Sequence, residues 1–453
     1  MDYSEMTAIA QEHFWPNFGA RQDMQEIPLR FLVSGEGAMV TDESGRQYID
    51  CFAAIQTTMI GHGRREIADA VYAQMQKLAF YPAVLTYFTE PILALAKKLS
   101  TIVPGGLSRF YFCNDGSEAV EAALKIARRT QQERGHRGRY KMISRRLAYH
   151  GVTMGALSVN GLSAIRHGFD PGVPGVSFAE PPYCYRCPYG PDCSQCTMQC
   201  YADIERIVAF EGADTIAAVI MEPVMGAATG FSTPPPGYLQ KVRDLCDQTG
   251  ILLIFDEVSA GFGRTGKWFS CENYSVFPDI MTMAKGLTSG YLPLGATAVR
   301  PEIGNLFYGP HAKADFVHGH SMGGHTASCT AALANIAIME GEQLVQRSAE
   351  MGAYMLAQLK TLESHPIVGQ VHGIGMGFGI EIVRDKQTRQ DWPAELGITR
   401  SIRLRSWELG LICRNETNLV VLCPPLVLTK DQADKTVAIL DQAIAEEERK
   451  LGV

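Results

Sequence analysis

The sequence predicts an α/β fold built around a mostly parallel sheet. Ile216–Met221 and Ile251–Phe255 are apolar runs without polar alternation, a pattern typical of strands covered on both faces. Each run is followed by an acid, Glu222 or Asp256, and ligands bind at the carboxyl ends of the strands in such sheets. An acid at that point is also a common turn or cap residue, so the two runs indicate the fold class more firmly than the function.

Length and charge narrow the class of protein. The chain has 453 residues, 46% of them hydrophobic, which is enough for two domains that share a cleft. Its net charge of −7 and the lack of a long basic run argue against nucleic acid or an anionic membrane as a partner. Acids occupy the N-terminus where a signal peptide needs basic residues, and no apolar segment is long enough to span a bilayer, so we expect a cytoplasmic protein.

Both ends of the chain carry signals for smaller elements. Val40–Asp50 reads as a hairpin, with turn residues between two short strands. The alternating glycines of Gly373–Gly379 look like a dinucleotide loop, but they lead into a strand and open no helix, which excludes that interpretation. Thr429 and Gln432 form a capping-box pattern ahead of an amphipathic terminal helix.

A strand, a glycine turn and a helix are predicted around residue 116. Asp115, with Glu118 three residues later, has the spacing of a capping box. Free backbone amides at the helix start, the Ser117 hydroxyl and the close approach that Gly116 allows would together form a phosphate cradle. The same pattern is common in α/β proteins without a ligand, so the segment alone leaves both interpretations open.

Another short strand, Tyr140–Ser144, is followed by Tyr149 and His150. A tyrosine after a strand usually serves core packing. We expect His150 to be a structural hydrogen-bonding residue, because no second metal ligand is spaced nearby.

Lys285 follows the short apolar segment that begins at Pro278 and precedes Gly286. Desolvation lowers the pKa of an amine and makes it nucleophilic, so this setting suits Schiff-base formation with an aldehyde cofactor. The alternative is a lysine that extends from the edge of a sheet into solvent.

The segments FDEVSAGFGRTGKW, from residue 255, and PDIMTMAKGLTSGYLPLGA, from residue 278, resemble the class III pyridoxal-phosphate aminotransferases of the ω-amino acid and amine:pyruvate type. The resemblance extends over nearly the entire chain. It implies that Lys285 binds the cofactor covalently and that Asp256 pairs with the pyridine nitrogen. A carboxylate there keeps the nitrogen protonated, so the ring can act as an electron sink, while Lys285 is the natural base for the substrate proton.

The resemblance also implies the pyridoxal-phosphate-dependent transferase fold of type I. This fold has a large domain with a mostly parallel seven-stranded sheet and a small α+β domain. We expect residues 1–65 to form an N-terminal segment and part of the small domain, residues 66–330 the large cofactor-binding domain, and residues 331–453 the C-terminal small domain.

Further side chains are assigned to the cofactor by the same resemblance. Tyr149 would stack on the pyridine ring, and Glu222 would orient the cofactor or a neighbouring arginine. Ser321 stands where the family has a threonine that reaches the phosphate of the neighbouring subunit, so a homodimer with shared sites is expected, with a tetramer left open. The complete predicted cofactor set is Gly116, Ser117, Tyr149, His150, Glu222, Asp256, Val258, Lys285 and Ser321.

Three residues are predicted to contact the substrate. In similar transaminases the arginine matching Arg414 grips the carboxylate of a keto acid bidentately and swings away for uncharged substrates. Gln56 stands where amine-accepting members often carry tryptophan, which predicts a more polar pocket. Tyr81, with its neighbour Phe80, is expected at the same pocket.

Five cysteines lie close together, and the resemblance is silent about them. Two CxxC pairs have the spacing of a structural zinc site, and a cytoplasmic protein would not normally oxidise them. We expect a zinc ion or, as second choice, an iron–sulfur cluster, with reduced free thiols as the alternative. The cluster consists of Cys184, Cys187, Cys193, Cys196 and Cys200.

These observations predict a transaminase. The expected donor is a primary amine or an ω-amino acid such as taurine, β-alanine or a diamine, and the expected acceptor is a keto acid, with pyruvate preferred over 2-oxoglutarate. A racemase or aminomutase of the same family would use the same lysine and aspartate. A protein of another class, a non-catalytic scaffold that binds metal through the cysteines, is the remaining alternative.

Overall fold

The computed structural model describes residues 1–19, 21–190, 196–310 and 312–453. Its strands are β1 (Leu32–Glu36), β2 (Met39–Asp42), β3 (Gln47–Asp50), β4 (Arg109–Cys113), β5 (Lys141–Arg145), β6 (Val176–Ala179), β7 (Ile216–Met221), β8 (Leu252–Asp256), β9 (Ile280–Met283), β10 (Gly295–Val299), β11 (Val368–Ile374), β12 (Gly377–Ile382), β13 (Leu411–Ile412), β14 (Arg414–Asn415) and β15 (Leu419–Leu422). Its α-helices are α1 (Tyr3–His13), α2 (Arg21–Glu26), α3 (Ala53–Gln56), α4 (Arg65–Leu78), α5 (Glu90–Ile102), α6 (Gly116–Glu133), α7 (Met154–Ser158), α8 (Ser163–Arg166), α9 (Gln199–Glu211), α10 (Tyr238–Thr249), α11 (Pro301–Gly304), α12 (Thr326–Gly341), α13 (Leu344–Leu359), α14 (Ile398–Glu408) and α15 (Lys430–Leu451).

A seven-stranded sheet forms the centre of the molecule, in the order β4-β10-β9-β8-β7-β5-β6. β10 runs antiparallel to both of its neighbours, and the other pairings are parallel. The mostly parallel seven-stranded sheet predicted from the sequence is therefore confirmed, together with the fold of type I.

The two predicted apolar runs lie in the middle of this sheet. Every residue of β7 and of β8 is buried, as expected for strands that are covered on both faces. On one face, α6 packs against β7, β9 and β10 through small and branched side chains such as Ala119, Val120 and Ala123. The small side chains allow the helix to approach closely, which places its N-terminus at the carboxyl edge of the sheet.

Two four-stranded sheets lie outside the central one. The first has the order β1-β2-β3-β13, with antiparallel β2 and β3 forming the predicted hairpin and β13 joining in parallel. The second, β11-β12-β15-β14, is antiparallel and brings β14 beside β15. Because β13 comes from the C-terminal part of the chain, the two chain ends share one sheet. The domain boundaries at residues 65 and 330 stay predictions.

The signals at the C-terminal end are also confirmed. Gly373–Gly379 lies in the β11–β12 hairpin, so these glycines serve a turn between antiparallel strands. The Thr429 hydroxyl accepts the backbone N–H of Gln432, whose side chain accepts the N–H of Thr429, completing the capping box of α15. Among the described helices, none has the length and apolar character needed to cross a membrane.

Candidate active site

Three neighbouring parallel strands bring the predicted acids and the lysine to one edge of the central sheet. Glu222 follows β7 directly, Asp256 is the last residue of β8, and Lys285 lies two positions beyond β9. These strands are adjacent and parallel, so their carboxyl ends meet at the same edge. This is the edge at which ligands bind in parallel α/β sheets.

Asp256 is 4% exposed and held from three sides. His150 Nδ1 lies 2.7 Å from Asp256 Oδ2. The hydroxyl of Thr282 and the backbone N–H of Val258 donate to Oδ1 at 3.1 and 3.0 Å. The carboxylate is thereby fixed in orientation at the mouth of the sheet, while the buried Nε2 of His150 has no partner in the described part of the chain.

Lys285 has the environment of a reactive amine. Burial lowers the pKa of its ammonium group to about 8, opposed by the negative charge of Asp256 and reinforced by the positive charge of Arg414. Its Nζ donates to the hydroxyl of Ser259 at 2.7 Å. The backbone of Lys285 has φ 38°, in the left-handed region that residues with a side chain rarely adopt. The lysine is therefore both desolvated and held in a strained position at the strand end.

Glu222 lies beside a deeply buried arginine. Arg145, at 0% exposure, donates from Nη2 to the Glu222 carbonyl at 2.6 Å and lies 3.6 Å from its carboxylate. The backbone N–H of Gly226 donates to the same carboxylate at 3.3 Å, and that of Tyr149 approaches it at 3.5 Å. Burial raises the pKa of Glu222, whereas the charge of Arg145 opposes the rise. The protein therefore holds Oε1 of this carboxylate by hydrogen bonds, whereas Oε2 has no hydrogen-bond partner in the described residues, and the orienting role of Glu222 stays a prediction.

The start of α6 is the segment that is predicted to form a phosphate cradle. The Asp115 side chain accepts the N–H of Glu118 at 2.9 Å, and the Glu118 carboxylate accepts the N–H of Asn114, one residue earlier than in a standard capping box. Helix geometry leaves the first backbone N–H groups, those of Gly116 and Ser117, without an intrahelical partner. These amides point out of a helix N-terminus, which attracts anions.

Close packing around the cradle leaves no room for larger residues. A Cβ at Gly116 would lie 2.8 Å from Val258 Cγ1, and one at Gly151 would lie 2.6 Å from Ser117 Oγ. The Ser117 hydroxyl also accepts the N–H of Val152 at 3.3 Å. The donor set fits an anionic group such as a phosphate, and the carboxylate of Asp256 fits a protonated ring nitrogen. The residues present therefore fit pyridoxal phosphate.

Arg414 lies close enough to Lys285 and Tyr149 for its charge to act on both groups. Its positive charge lowers the pKa of Lys285, and it also lowers that of the Tyr149 phenol, which burial raises. The guanidinium forms an ion pair with Glu416, two residues along the chain. Lys285, Asp256, Glu222, Tyr149 and Arg414 are thus brought together electrostatically from five separate segments.

Three other predicted residues are Gln56, Tyr81 and Ser321, which the hydrogen bonds and charges described above do not include. Gln56 is 2% exposed, and its Oε1 has no hydrogen-bond partner in the described residues. Tyr81 is 43% exposed and packs edge-on against Tyr87 at 5.4 Å, while Phe80 stacks on His325 at 4.9 Å. Ser321 is exposed. In the described part of the chain no hydrogen bond or charge interaction links Gln56, Tyr81 or Ser321 to Lys285, so their roles stay predictions.

The cysteine cluster does not support a metal site. Within the described residues, no group of three or more His, Cys, Asp or Glu side chains is arranged to hold a metal ion. Four of the cysteines line one small cavity together with Tyr183 and Tyr189, and Cys193 lies outside the described residues. The zinc or iron–sulfur prediction for Cys184, Cys187, Cys193, Cys196 and Cys200 is therefore unsupported.

Sequence reasoning missed four residues that the structure places at the site. Ser259 holds the lysine, Thr282 and Arg145 hold the two acids, and Glu416 pairs with the arginine. Ser259 had a readable signal, because it follows Asp256 by three residues in the same segment. Thr282 and Arg145 were not recognisable because their contacts join separate strands, and Glu416 was not recognisable because its contact depends on the backbone conformation at β14.

A buried lysine and a buried aspartate beside the N-terminus of α6 are the arrangement expected of an enzyme that uses pyridoxal phosphate. A sequence model of the family Aminotransferase class-III matches residues 20–444. Similar proteins include the uncharacterized aminotransferase YhxA of Bacillus subtilis, 44% identical over 87% of each chain. The taurine–pyruvate aminotransferase of Bilophila wadsworthia is 35% identical, covering 100% of this chain and 99% of its own.

Solved structures agree with these relatives. An (S)-enantioselective ω-transaminase from Thermomicrobium roseum superposes with a TM-score of 0.93 at 38% identity, covering 99% of both chains. A transaminase from the marine bacterium Virgibacillus gives 0.93 at 34% identity, covering 99% of this chain and 100% of its own. The chain belongs to the class III aminotransferases, and members of this family use pyridoxal 5'-phosphate.

Proposed function

We propose that this aminotransferase transfers the amino group of a primary amine or ω-amino acid to an α-keto acid, with pyruvate as the acceptor. The observation that supports the proposal is the position of Arg414, whose charge acts on both Lys285 and Tyr149. A guanidinium there can bind the carboxylate of a keto acid through two parallel hydrogen bonds. The names of two relatives support this donor and acceptor class: taurine–pyruvate and putrescine–pyruvate aminotransferase.

Each residue of the site has a separate role in the proposed reaction. Bound pyridoxal phosphate supplies an aldehyde and a ring that takes up the electrons left when the substrate carbon loses a proton. Asp256, held by His150, keeps a positive charge on the ring nitrogen favourable. Lys285 Nζ moves the substrate proton, and Ser259 holds that nitrogen at 2.7 Å. Gly116 and Ser117 hold the phosphate, with Val258 packed beside them.

We also propose that the enzyme acts as a homodimer with shared sites. The segment that contains Ser321 carries exposed apolar side chains, Val317 at 95% and Met322 at 51%. It lies against the start of α6, where His320 Nδ1 is 3.2 Å from the Glu118 carboxylate. Exposed apolar residues beside a ligand site are typical of an interface. A partner seated on this segment would receive the Ser321 hydroxyl at its own phosphate.

The test is a panel of donors with pyruvate. Taurine, β-alanine and a diamine are incubated separately with the cofactor-loaded enzyme, and alanine and donor are quantified together. We expect alanine to form in amounts equal to the donor consumed, and Lys285→Ala to reduce the rate by at least about 10³-fold. A chiral primary amine of one enantiomer is included in the panel, and a control without pyruvate shows whether β-alanine is rearranged to alanine directly. Racemised amine, or alanine formed from β-alanine without pyruvate, would support the isomerase alternative and overturn the proposal.

A further inference from the structure

Arg414 has a resident partner directly beyond the end of its own strand, β14. Arg414 and Glu416 are two residues apart at the β14 edge of the antiparallel sheet, and side chains two apart in extended backbone point to the same side. The Arg414 Nη2 and Glu416 Oε1 atoms form an ion pair. The guanidinium that faces Lys285 is therefore already bound to a carboxylate in the absence of substrate.

The structure around Glu416 fixes its position. Its backbone N–H donates to the Leu419 carbonyl at 2.9 Å, and its own carbonyl accepts the Thr399 hydroxyl at 2.9 Å. The side chain is 26% exposed, but Oε1 is shielded from solvent. Burial raises the pKa of this carboxyl, whereas the charge of Arg414 lowers it, so the ionised form depends on the arginine. Within the described residues, no other cation forms an ion pair with Glu416.

A carboxylate on the arginine competes with any substrate carboxylate. A guanidinium offers a planar fork of donors that matches one carboxylate bidentately. A keto acid or ω-amino acid that binds Nη2 of Arg414 therefore displaces Glu416, leaving that group with a poorly compensated charge. An amine without a carboxylate enters without disturbing the pair, because the pair is electrically neutral as a whole.

We propose that Glu416 is a specificity-determining positioning residue, which holds Arg414 in the absence of a substrate carboxylate and weakens the binding of carboxylate substrates relative to uncharged amines. This inference rests on the proposed function, because it takes Arg414 as the group that binds the keto acid. Glu416 thereby sets how strongly the pocket favours uncharged amines over substrates with a carboxylate. Glu416 acts through Arg414 and does not itself take part in proton transfer.

The direct test compares two unreactive ligands of the same shape, propionate and propionamide, by calorimetry on the cofactor-loaded enzyme. In Glu416→Gln we expect propionate to bind about three- to tenfold more tightly, because the competing charge is gone, and propionamide to bind unchanged. Glu350→Gln removes the same charge from an exposed site on α13 and should alter neither affinity. In turnover, KM for pyruvate should fall in Glu416→Gln while KM for an uncharged monoamine stays constant.

A second pair of variants separates the two proposals. Arg414→Ala should weaken propionate binding, and adding Glu416→Gln to it should have no further effect. If Arg414→Ala weakens propionate binding but Glu416→Gln changes nothing, or changes both ligands equally, the inference is wrong and the proposed function stands. If Arg414→Ala leaves propionate binding unchanged, the role of Arg414 in the proposed function fails, and this inference fails with it.

Discussion

The reactivity of Lys285 gives the sharpest prediction from the structure. Burial lowers the pKa of its amine to about 8, whereas a free lysine titrates near about 10.4. At pH 7.5 roughly a quarter of an amine with a pKa of 8 is neutral, against about 0.1% of an ordinary one. After the cofactor is removed, Lys285 should therefore react with a small acylating reagent about 200-fold faster than an ordinary lysine of equal access.

The assay follows acylation of individual lysines by peptide mass spectrometry between pH 6 and 11. Lys77, with 70% of its side chain exposed, provides an internal comparison in the same sample. We expect the labelling of Lys285 to reach half its maximum near pH 8. Because Asp256 raises the pKa and Arg414 lowers it, Asp256→Asn should move this midpoint down and Arg414→Met should move it up.

Either of two results would refute this reasoning. A Lys285 midpoint close to that of surface lysines would mean that burial does not favour the neutral amine. A midpoint that falls in Arg414→Met would mean that the arginine does not act electrostatically on the lysine. The pKa of Lys285 is lower in the folded protein than in the unfolded chain, so folding favours the neutral amine. In the cofactor-free protein this group therefore lowers the free energy of unfolding below about pH 8, and that loss is recovered as the pH rises toward about 10.

Three further changes have defined outcomes. Asp256→Asn keeps the shape but removes the charge beside the cofactor ring, so kcat should fall on the order of a hundredfold or more with the cofactor still bound, and an unchanged kcat would contradict this role. Gly151→Ala places a Cβ 2.6 Å from Ser117 Oγ on a backbone with φ 108°, so the affinity for the cofactor should fall by roughly tenfold in a fluorescence titration. The control Gly138→Ala places a Cβ whose nearest neighbour is 3.6 Å away, and it should leave the affinity unchanged. Glu381→Gln removes the charge of a fully buried carboxylate that contacts Tyr183 and Arg186, so the free energy of unfolding should fall by about 3 kcal/mol. The control Asp391→Asn removes the charge of an exposed partner of Arg186 and should lower the free energy of unfolding by less than about 1 kcal/mol. Equal losses in the two variants would show that burial does not set the difference.

The fold could be predicted because its main signals are local in the sequence. The continuous apolar runs that became β7 and β8 contain their own evidence of burial, and each is followed by its acid without interruption. Lys285 was recognisable for the same reason, since a charged residue after a short apolar strand conflicts with its surroundings. The helix starts at Asp115 and Thr429 were also readable, because a cap and its partner lie three residues apart.

The contacts that orient the reactive groups could not be predicted in this way. Arg145 reaches Glu222 from β5, and Thr282 reaches Asp256 from β9, so each contact requires the strand order of the sheet. Glu416 looks like an ordinary surface acid in the sequence. Its pairing with Arg414 follows only once the backbone is known to be extended through a strand of two residues.

The backbone that carries Gln56 has a conformation that its residue types rarely adopt. All four residues of Ala53–Gln56 have φ between 45° and 67°, so this short segment is a left-handed turn formed without glycine. Each residue costs on the order of 1–2 kcal/mol in that conformation, and the surroundings must supply the compensation. The Asp50 carboxylate does so in part by accepting the N–H groups of Phe52 and Ala53 at 3.1 and 2.9 Å. The same turn carries the buried Gln56 Oε1, which has no hydrogen-bond partner in the described residues. Buried polar atoms are usually paired, so a hydrogen-bond donor on a substrate would complete this site, and the substrate-pocket role of Gln56 stays a prediction.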